Sequence, residues 1–346
     1  MTTINPSPPR PVLAITGAGG IGLACARRLA RNRVIHIGDI SSTALENAAA
    51  SLRGDGHEVH THVVDVASFP SVMKFAQSAS ETGYIETIVH TAGLSPVMAT
   101  PQRILEVDLL GTANVIEAFY EVLGTGMGTG PAMVAISSVA RFGVPLGSLS
   151  PGMVKHLATS SLDSLSSSLV LELPGPGRED SQPSEIQSEI RSIIFGTTTT
   201  TTTTSKDGQE DKEPTYSQKT AAYSLSKQAN YLRVQAASQK WFLTRAGARI
   251  NTVSPGIVLT AMTRREEAQQ LGPIVQQMID STPMRRGGSA NEIASAVAFL
   301  AGPDASYVTG TDLLVDGGFL ASNGGGFEIP PGSGEDEEGE EGKGGK

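Results

Sequence analysis

The chain has 346 residues, 39% hydrophobic and 18% charged, with a formal net charge of −9. That is enough apolar material for a sizeable core, and the acidic balance argues against unspecific nucleic-acid binding or docking on anionic membranes. Aromatic residues are scarce at 5%, as expected of an α/β protein built on Ala, Val, Ile, Leu and Gly. The single cysteine, Cys25, can form no internal disulfide and sits in an Ala/Leu-rich helical pattern, so it is read as a packing residue in a reducing, cytoplasmic setting. Met1–Pro11 is polar and proline-rich, without a signal peptide's apolar core, and no run of 18 apolar residues suits a membrane span.

In chain order, Val12–Thr16 is a short apolar run, expected as a buried strand, followed by the glycines of 17–22 and a helix to about Arg31. Strands are expected at Val34–Ile40, His57–Val64 and Thr87–His90, with helices over Ser42–Arg53, 70–82 and Ile104–Leu123. After a glycine-rich loop, Gly124–Gly130, a fifth strand at Ala132–Ile136 runs into Ser137 and Ser138. Good helix formers fill 221–243, then come strands at Arg249–Val253 and Leu313–Val315 with a helix at Asn291–Ala301 between them. Strands alternating with helices imply one domain over 12–322, a doubly wound seven-stranded parallel sheet of Rossmann type.

The alternation breaks between Gly143 and Lys219. Residues 145–173 keep a helical pattern through Met153, Val154, Leu157, Leu162, Leu165 and Leu169, and are a candidate helical lid. Residues 175–217 include eight threonines, Thr197–Thr204, and an apolar patch, Ile186–Phe195, with room for a helix turn or two. Such composition buries too little surface to offset its ordering entropy, so the segment is expected to be mostly disordered. Residues 323–346 read as a solvated acidic tail, with solubility as its simplest role; Glu335–Lys346 alone holds six acids and two lysines.

Three features carry chemistry. Gly17-Ala18-Gly19-Gly20-Ile21-Gly22 matches G-x-G-x-x-G between an apolar strand and an Ala-rich helix. Glycines there let the backbone approach a pyrophosphate, and the helix N-terminus offers free N–H groups to it. Asp39, at the end of the second strand, can accept hydrogen bonds from the ribose hydroxyls of an adenosine and would repel a 2′-phosphate; NAD is therefore favoured over NADP, and no Arg or Lys immediately follows it. Asp65, after the third strand, faces either the adenine edge or a helix-capping duty. Tyr223 and Lys227 are four apart in Tyr223-Ser224-Leu225-Ser226-Lys227, which on a helix places a phenol beside an ammonium. A nearby cation favours phenolate and makes the phenol a usable acid or base near neutral pH. The histidines and Cys25 show no metal-ligand spacing.

Taken together, the residues resemble the short-chain dehydrogenases/reductases: Thr16-Gly17 with Gly22, Asp65-Val66, Ala92-Gly93, Ser138, Tyr223 and Lys227, Asn251 with Pro255-Gly256, and Val315-Asp316-Gly317-Gly318. The resemblance implies hydride transfer between nicotinamide and an alcohol or carbonyl carbon of a small molecule. It casts Ser138 as the hydrogen-bond donor to the substrate oxygen, Tyr223 as the proton donor or acceptor, and Lys227 as the group that acidifies Tyr223 and holds the nicotinamide ribose. Ala92 and Gly93 would line the adenosine side, and Pro255, Gly256, Val258 and Thr260 would close over the nicotinamide. It also implies a homodimer or homotetramer built on the helix after strand four and the Tyr223 helix.

Several departures qualify it. The glycine loop is one residue short; His90-Thr91 stand where the family has Asn-Asn; and Ser138 and Tyr223 lie unusually far apart. Asp108 stands where the family has a catalytic Asn, and either supports Lys227 or serves only helix structure. A non-catalytic dinucleotide sensor or scaffold, or an NADP-dependent ketoreductase of secondary metabolism, remain as alternatives.

Overall fold

The computed structural model describes residues 10–123, 130–171, 184–196, 213–245, 247–266 and 272–323. The glycine loop at 124–129, the tail from 324 and the threonine run lie outside the described residues.

Apolar runs rich in Val and Ile make the strands β1 (Pro11–Thr16), β2 (Val34–Asp39), β3 (Val59–Val63), β4 (Tyr84–His90), β5 (Ala132–Ile136), β6 (Arg249–Pro255) and β7 (Asp312–Val315). They pair in the order β3-β2-β1-β4-β5-β6-β7, every pair parallel. Alternation along the strands feeds two cores. Leu13 and Ile15 of β1 face α1 (Gly20–Leu29), α2 (Ser42–Gly54) and α12 (Ala290–Ala301), while Val12 and Ala14 face α3 (Phe69–Thr82), α5 (Gly111–Val122) and α9 (Tyr216–Thr244). Cys25 is fully buried in the first of these, and burial pushes its thiol up to about 12.

The helix expected over Ile104–Leu123 is not uniform. A short α4 (Pro101–Ile104) runs into a π-helical stretch, Leu105–Leu110, and then into α5. The stretch contains Asp108, and such widened turns often accompany functional sites.

The described parts of the 143–219 region, residues 143–171, 184–196 and 213–219, are largely helical. Its first part forms α6 (Pro151–Thr159) and α7 (Leu162–Ser168); farther on lies α8 (Glu185–Phe195), an 11-residue helix rather than a turn or two. A capping box between Ser184 and Gln187 starts α8, and Ile190 and Ile194 bury its apolar face. These join Met153, Leu157, Leu165 and Leu169 in a third core laid over Leu105, Leu109, Leu225 and Leu232. The helix over Glu185–Phe195 is longer than the turn or two expected because four Ile residues and a Phe at helical spacing outweigh the polar flanks. Between Ala222 and Val234, α9 consequently has no exposed residue, an unusual state for a helix of an outer layer.

Candidate active site

Parallel sheets gather their loops at the carboxyl ends of the strands, and a crevice opens where strand order reverses. Here that switch lies between β1 and β4, and the loops after β1, β4, β5 and β6 carry most of the expected site residues.

Gly17 holds φ +94°, and a Cβ on it would lie 2.5 Å from Thr91 Oγ1. Its N–H donates to the Gly38 carbonyl at 2.7 Å, fastening the loop to β2. A Cβ on Gly22 would collide with the Gly17 carbonyl, whereas one on Gly19 would meet nothing within 4 Å. The loop is therefore tight on its inner side and open on its outer side. Helix α1 begins at Gly20 without a side-chain cap, so the early N–H groups around Gly19, Gly20, Ile21 and Gly22 are available to an anion. The Asp39 carboxylate accepts from Ala18 N at 2.8 Å and Ser41 N at 2.9 Å, which fixes it beside the loop with lone pairs to spare. Thr260 reaches across from the β6 loop: a Cβ on Gly20 would touch its Cγ2 at 3.1 Å. Pro255 and Gly256 are held by β7, with Gly256 N donating to the Val315 carbonyl at 3.0 Å. This cradle of glycines, helix N-terminus and strand-end carboxylate fits a dinucleotide.

Tyr223 and Lys227 sit on α9, with Lys227 Nζ 5.1 Å from the Tyr223 ring centre. Ser138 caps the short 3-10 turn Val139–Gly143, its Oγ accepting from Ala140 N at 3.1 Å. That turn lies against α9 at both ends. The Ser137 hydroxyl donates to the Lys227 carbonyl at 3.1 Å, and a Cβ on Gly143 would meet Ser224 Oγ at 3.0 Å. The structure thus brings the turn that Ser138 caps against the helix that carries Tyr223.

Below them is a buried ion pair. Lys227 Nζ lies 3.0 Å from Asp108 Oδ2, with side-chain exposures of 6% and 0%. Asp108 Oδ1 accepts from Leu94 N at 2.7 Å, and a Cβ on Gly93 would come within 3.4 Å of both charged groups, so only glycine fits without displacing them. Burial by itself pushes the Lys227 ammonium down, but Asp108, with a smaller contribution from Tyr223, outweighs it and raises Lys227 above the ordinary lysine value. His90, in the place of an Asn, is buried between Thr16 Oγ1 at 2.6 Å and Thr112 Oγ1 at 3.0 Å; burial, then the Lys227 charge, lowers it to about 3. It is a neutral strut joining β4 to β1 and α5.

Comparison with known proteins gives the same family. The description "short chain dehydrogenase" matches residues 11–149, and "Enoyl-(Acyl carrier protein) reductase" matches 196–320. A short-chain dehydrogenase/reductase of Alternaria brassicicola is 36% identical over 309 residues, 89% of this chain and 95% of the relative. The chain belongs to the short-chain dehydrogenase/reductase family. It is accordingly an NAD(P)-dependent oxidoreductase of alcohols and ketones. A tropinone reductase homologue of Arabidopsis thaliana is 28% identical over 312 residues, 89% of this chain and 92% of that protein. The solved structure of levodione reductase shares the fold, with a TM-score of 0.62 at 20% identity, covering 91% of this chain and 99% of the other.

Not every expected residue turns toward the site. Val258 is 8% exposed and packs into the core with Val253 and Ile293, leaving only its backbone for a ligand. The Asp65 carboxylate caps its own turn at Ala67 N and pairs with Arg103 at 3.2 Å, a partner not foreseen from sequence. Val66 is buried against α5, its carbonyl accepting from Asn114 Nδ2 at 2.8 Å. A cavity of about 310 Å³ lined by Ile257, Met284, Arg286, Ile293, Asp316 and Gly317 contains none of the predicted catalytic side chains.

Proposed function

We propose that the chain interconverts a secondary alcohol and a ketone by a Ser138/Tyr223/Lys227 mechanism, with NAD as the preferred cofactor. Bound at the glycine loop, NAD would supply the hydride acceptor for oxidation, and its reduced form the donor for reduction. Tyr223 gives its phenolic proton to the carbonyl oxygen in reduction and takes it back in oxidation. Ser138 donates a hydrogen bond to the same oxygen, stabilising negative charge as it forms. Lys227 favours the Tyr223 phenolate, while Asp108 holds Lys227 in place and moderates its charge. Gly17, Gly19, Gly20, Ile21 and Gly22 would bind the pyrophosphate, Asp39 the adenosine ribose, and Ala92, Gly93, Pro255, Gly256 and Thr260 would flank the rest. The Val258 backbone would face the nicotinamide, and the Asp65-Val66 turn the adenine.

The observation that carries this reading is the buried Lys227–Asp108 pair beneath Gly93, on the same helix as Tyr223 and in contact with the Ser138 turn. A non-catalytic sensor would have been free to lose Ser138, Tyr223 or Lys227, and all three stand. The test is the nicotinamide absorbance change with a panel of alcohols and ketones. Tyr223→Phe is expected to lower turnover about 100-fold or more; equal turnover would remove the phenol from the mechanism.

The protein is proposed to be cytoplasmic. Among the described residues no helix is long and apolar enough to cross a membrane. A homodimer or homotetramer is proposed to use faces other than the outer side of α9 between Ala222 and Val234, because α6 and α8 of the same chain cover it.

A further inference from the structure

Arg141 lies within the turn that Ser138 caps, and its side chain reaches out of that turn to β7 and α9. Nε and Nη2 both reach Asp312 Oδ2 on β7 at 3.0 Å, with side-chain exposures of 12% and 4%. The guanidinium is sandwiched between the Phe142 ring at 3.9 Å and the Tyr231 ring of α9 at 4.4 Å. Its Nη1 donates to Gln228 Oε1 at 3.4 Å, one residue after Lys227. The other oxygen of Asp312 accepts from Thr252 at 2.6 Å and Ser254 at 2.8 Å, the latter adjoining Pro255. One guanidinium therefore joins the Ser138 turn, the Tyr223/Lys227 helix and, through Asp312, the strand end leading to the cofactor loop.

We propose that Arg141 and Asp312 form a positioning clamp that sets Ser138 against Tyr223 and Lys227; this rests on the Ser138/Tyr223/Lys227 reading. Bonds within the turn, such as Arg141 N to the Ser138 carbonyl at 3.1 Å, fix its shape but not its place. Ser137 anchors the start of the turn through Val253 and Lys227, Gly143 packs on Ser224 at its end, and Arg141 ties its middle to β7 and α9. A planar fork wedged between two rings has little freedom, so it transmits the positions of β7 and α9 to the turn. Without it the turn keeps its shape and shifts, and displacements of about 1 Å near reacting groups cost up to 100-fold in rate.

The experiment compares Arg141→Met, Asp312→Asn and the double variant, with Arg141→Lys and Tyr223→Phe alongside. Reduction of cyclohexanone, acetophenone and decalone with NADH is followed, using whichever ketone the wild type turns over fastest; NADH affinity is read by fluorescence and stability by thermal melting. Arg141→Met leaves Asp312 buried and unpaired and melts early. The double variant holds neither charge and recovers melting temperature, while kcat stays at least about tenfold below wild type and NADH affinity stays within about threefold. Arg141→Lys restores charge without the fork and is expected at intermediate kcat. Wild-type kcat in the double variant, together with a dead Tyr223→Phe, overturns the clamp alone. Undiminished turnover by Tyr223→Phe overturns the reading beneath it.

Discussion

Replacing Asp108 by Asn removes one negative charge and little else, because the amide oxygen can still accept from Leu94 N. The consequence can be worked from two distances. Lys227 Nζ is 5.1 Å from the Tyr223 ring centre, and Asp108 Oδ2 is 3.0 Å from Nζ. At an effective dielectric of about 20, the ammonium favours a phenolate by about 3 kcal/mol. The carboxylate lies at most about 8 Å from the same ring centre, the sum of those distances, and at most about 11 Å from the phenolate oxygen beyond it, so it opposes the phenolate by at least about 1.5 kcal/mol. Asp108 thus cancels a substantial part of what Lys227 offers. Removing that charge moves the limb of the pH–rate profile for alcohol oxidation to lower pH by about one unit or more. The sign does not depend on which group ionises: Tyr223 and Lys227 titrate together, and losing the carboxylate makes the pair release its first proton more readily either way. The assay is kcat/KM for alcohol oxidation against pH, read well below the melting temperature, since Lys227 loses its buried partner and some stability with it. A limb that stays in place or moves to higher pH would refute the electrostatic role given to Asp108.

Three further outcomes follow from the same structure. Ile190→Ala, inside a segment whose composition predicts disorder, should lower unfolding free energy by about 2–5 kcal/mol in denaturant titration; a loss below about 0.5 kcal/mol would mean α8 is not packed. His90 is held to about 3 against an ordinary 6.5, so below pH 6.5 the unfolded chain takes a proton that the folded one refuses, and stability falls by about 1.4 kcal/mol per pH unit down to about pH 3. His90→Asn should make that acid slope shallower but not flat, because His36, lowered to about 4 by burial and then by the His62 and His60 charges, adds its own; an unchanged slope would remove His90 from the account. Asp39→Ala should narrow the preference for NADH over NADPH in fluorescence titrations, and tighter NADPH binding by the wild type would overturn the cofactor assignment.

Much of this was legible in the sequence because it rests on local pattern. Short apolar runs alternating with helical stretches locate all seven strands, and the strand–glycine–helix succession locates the cradle at Gly17–Gly22. The helical offset of Tyr223 and Lys227 needed only the 3.6-residue turn. What was not legible depends on contacts between distant segments. No local signal separates the π-helical stretch at Leu105–Leu110 from an ordinary helix, yet it bears Asp108. Arg141 and Asp312 are an ordinary turn cation and strand acid until the fold joins them. Val258 reads as a pocket residue from its loop position, and only the packing of α12 shows it in the core. The apolar residues of α8 are visible in the sequence, but their partners on α6 and α9 are not, so the polar flanks dominate the reading.

The long insertion between Ser138 and Tyr223 leaves the site intact for a reason that concerns its ends more than its length. Closing a loop costs free energy only as the logarithm of its length, about 0.6 kcal/mol per doubling. The entry is fixed where Gly143 meets Ser224 and Val144 is buried. The exit is fixed by the capping box of Thr215 and Gln218 that starts α9. Between them, burial of Met153, Leu157, Leu165, Ile190 and Ile194 contributes about 1.5–3 kcal/mol per side chain before ordering entropy is charged against it. Insertion helices that dock on the outer face of α9 therefore stiffen the helix that presents Tyr223 and Lys227. Changes at Met153 or Ile190 should accordingly alter stability while leaving the pH dependence of turnover in place, whereas changes at Asp108 should move that pH dependence.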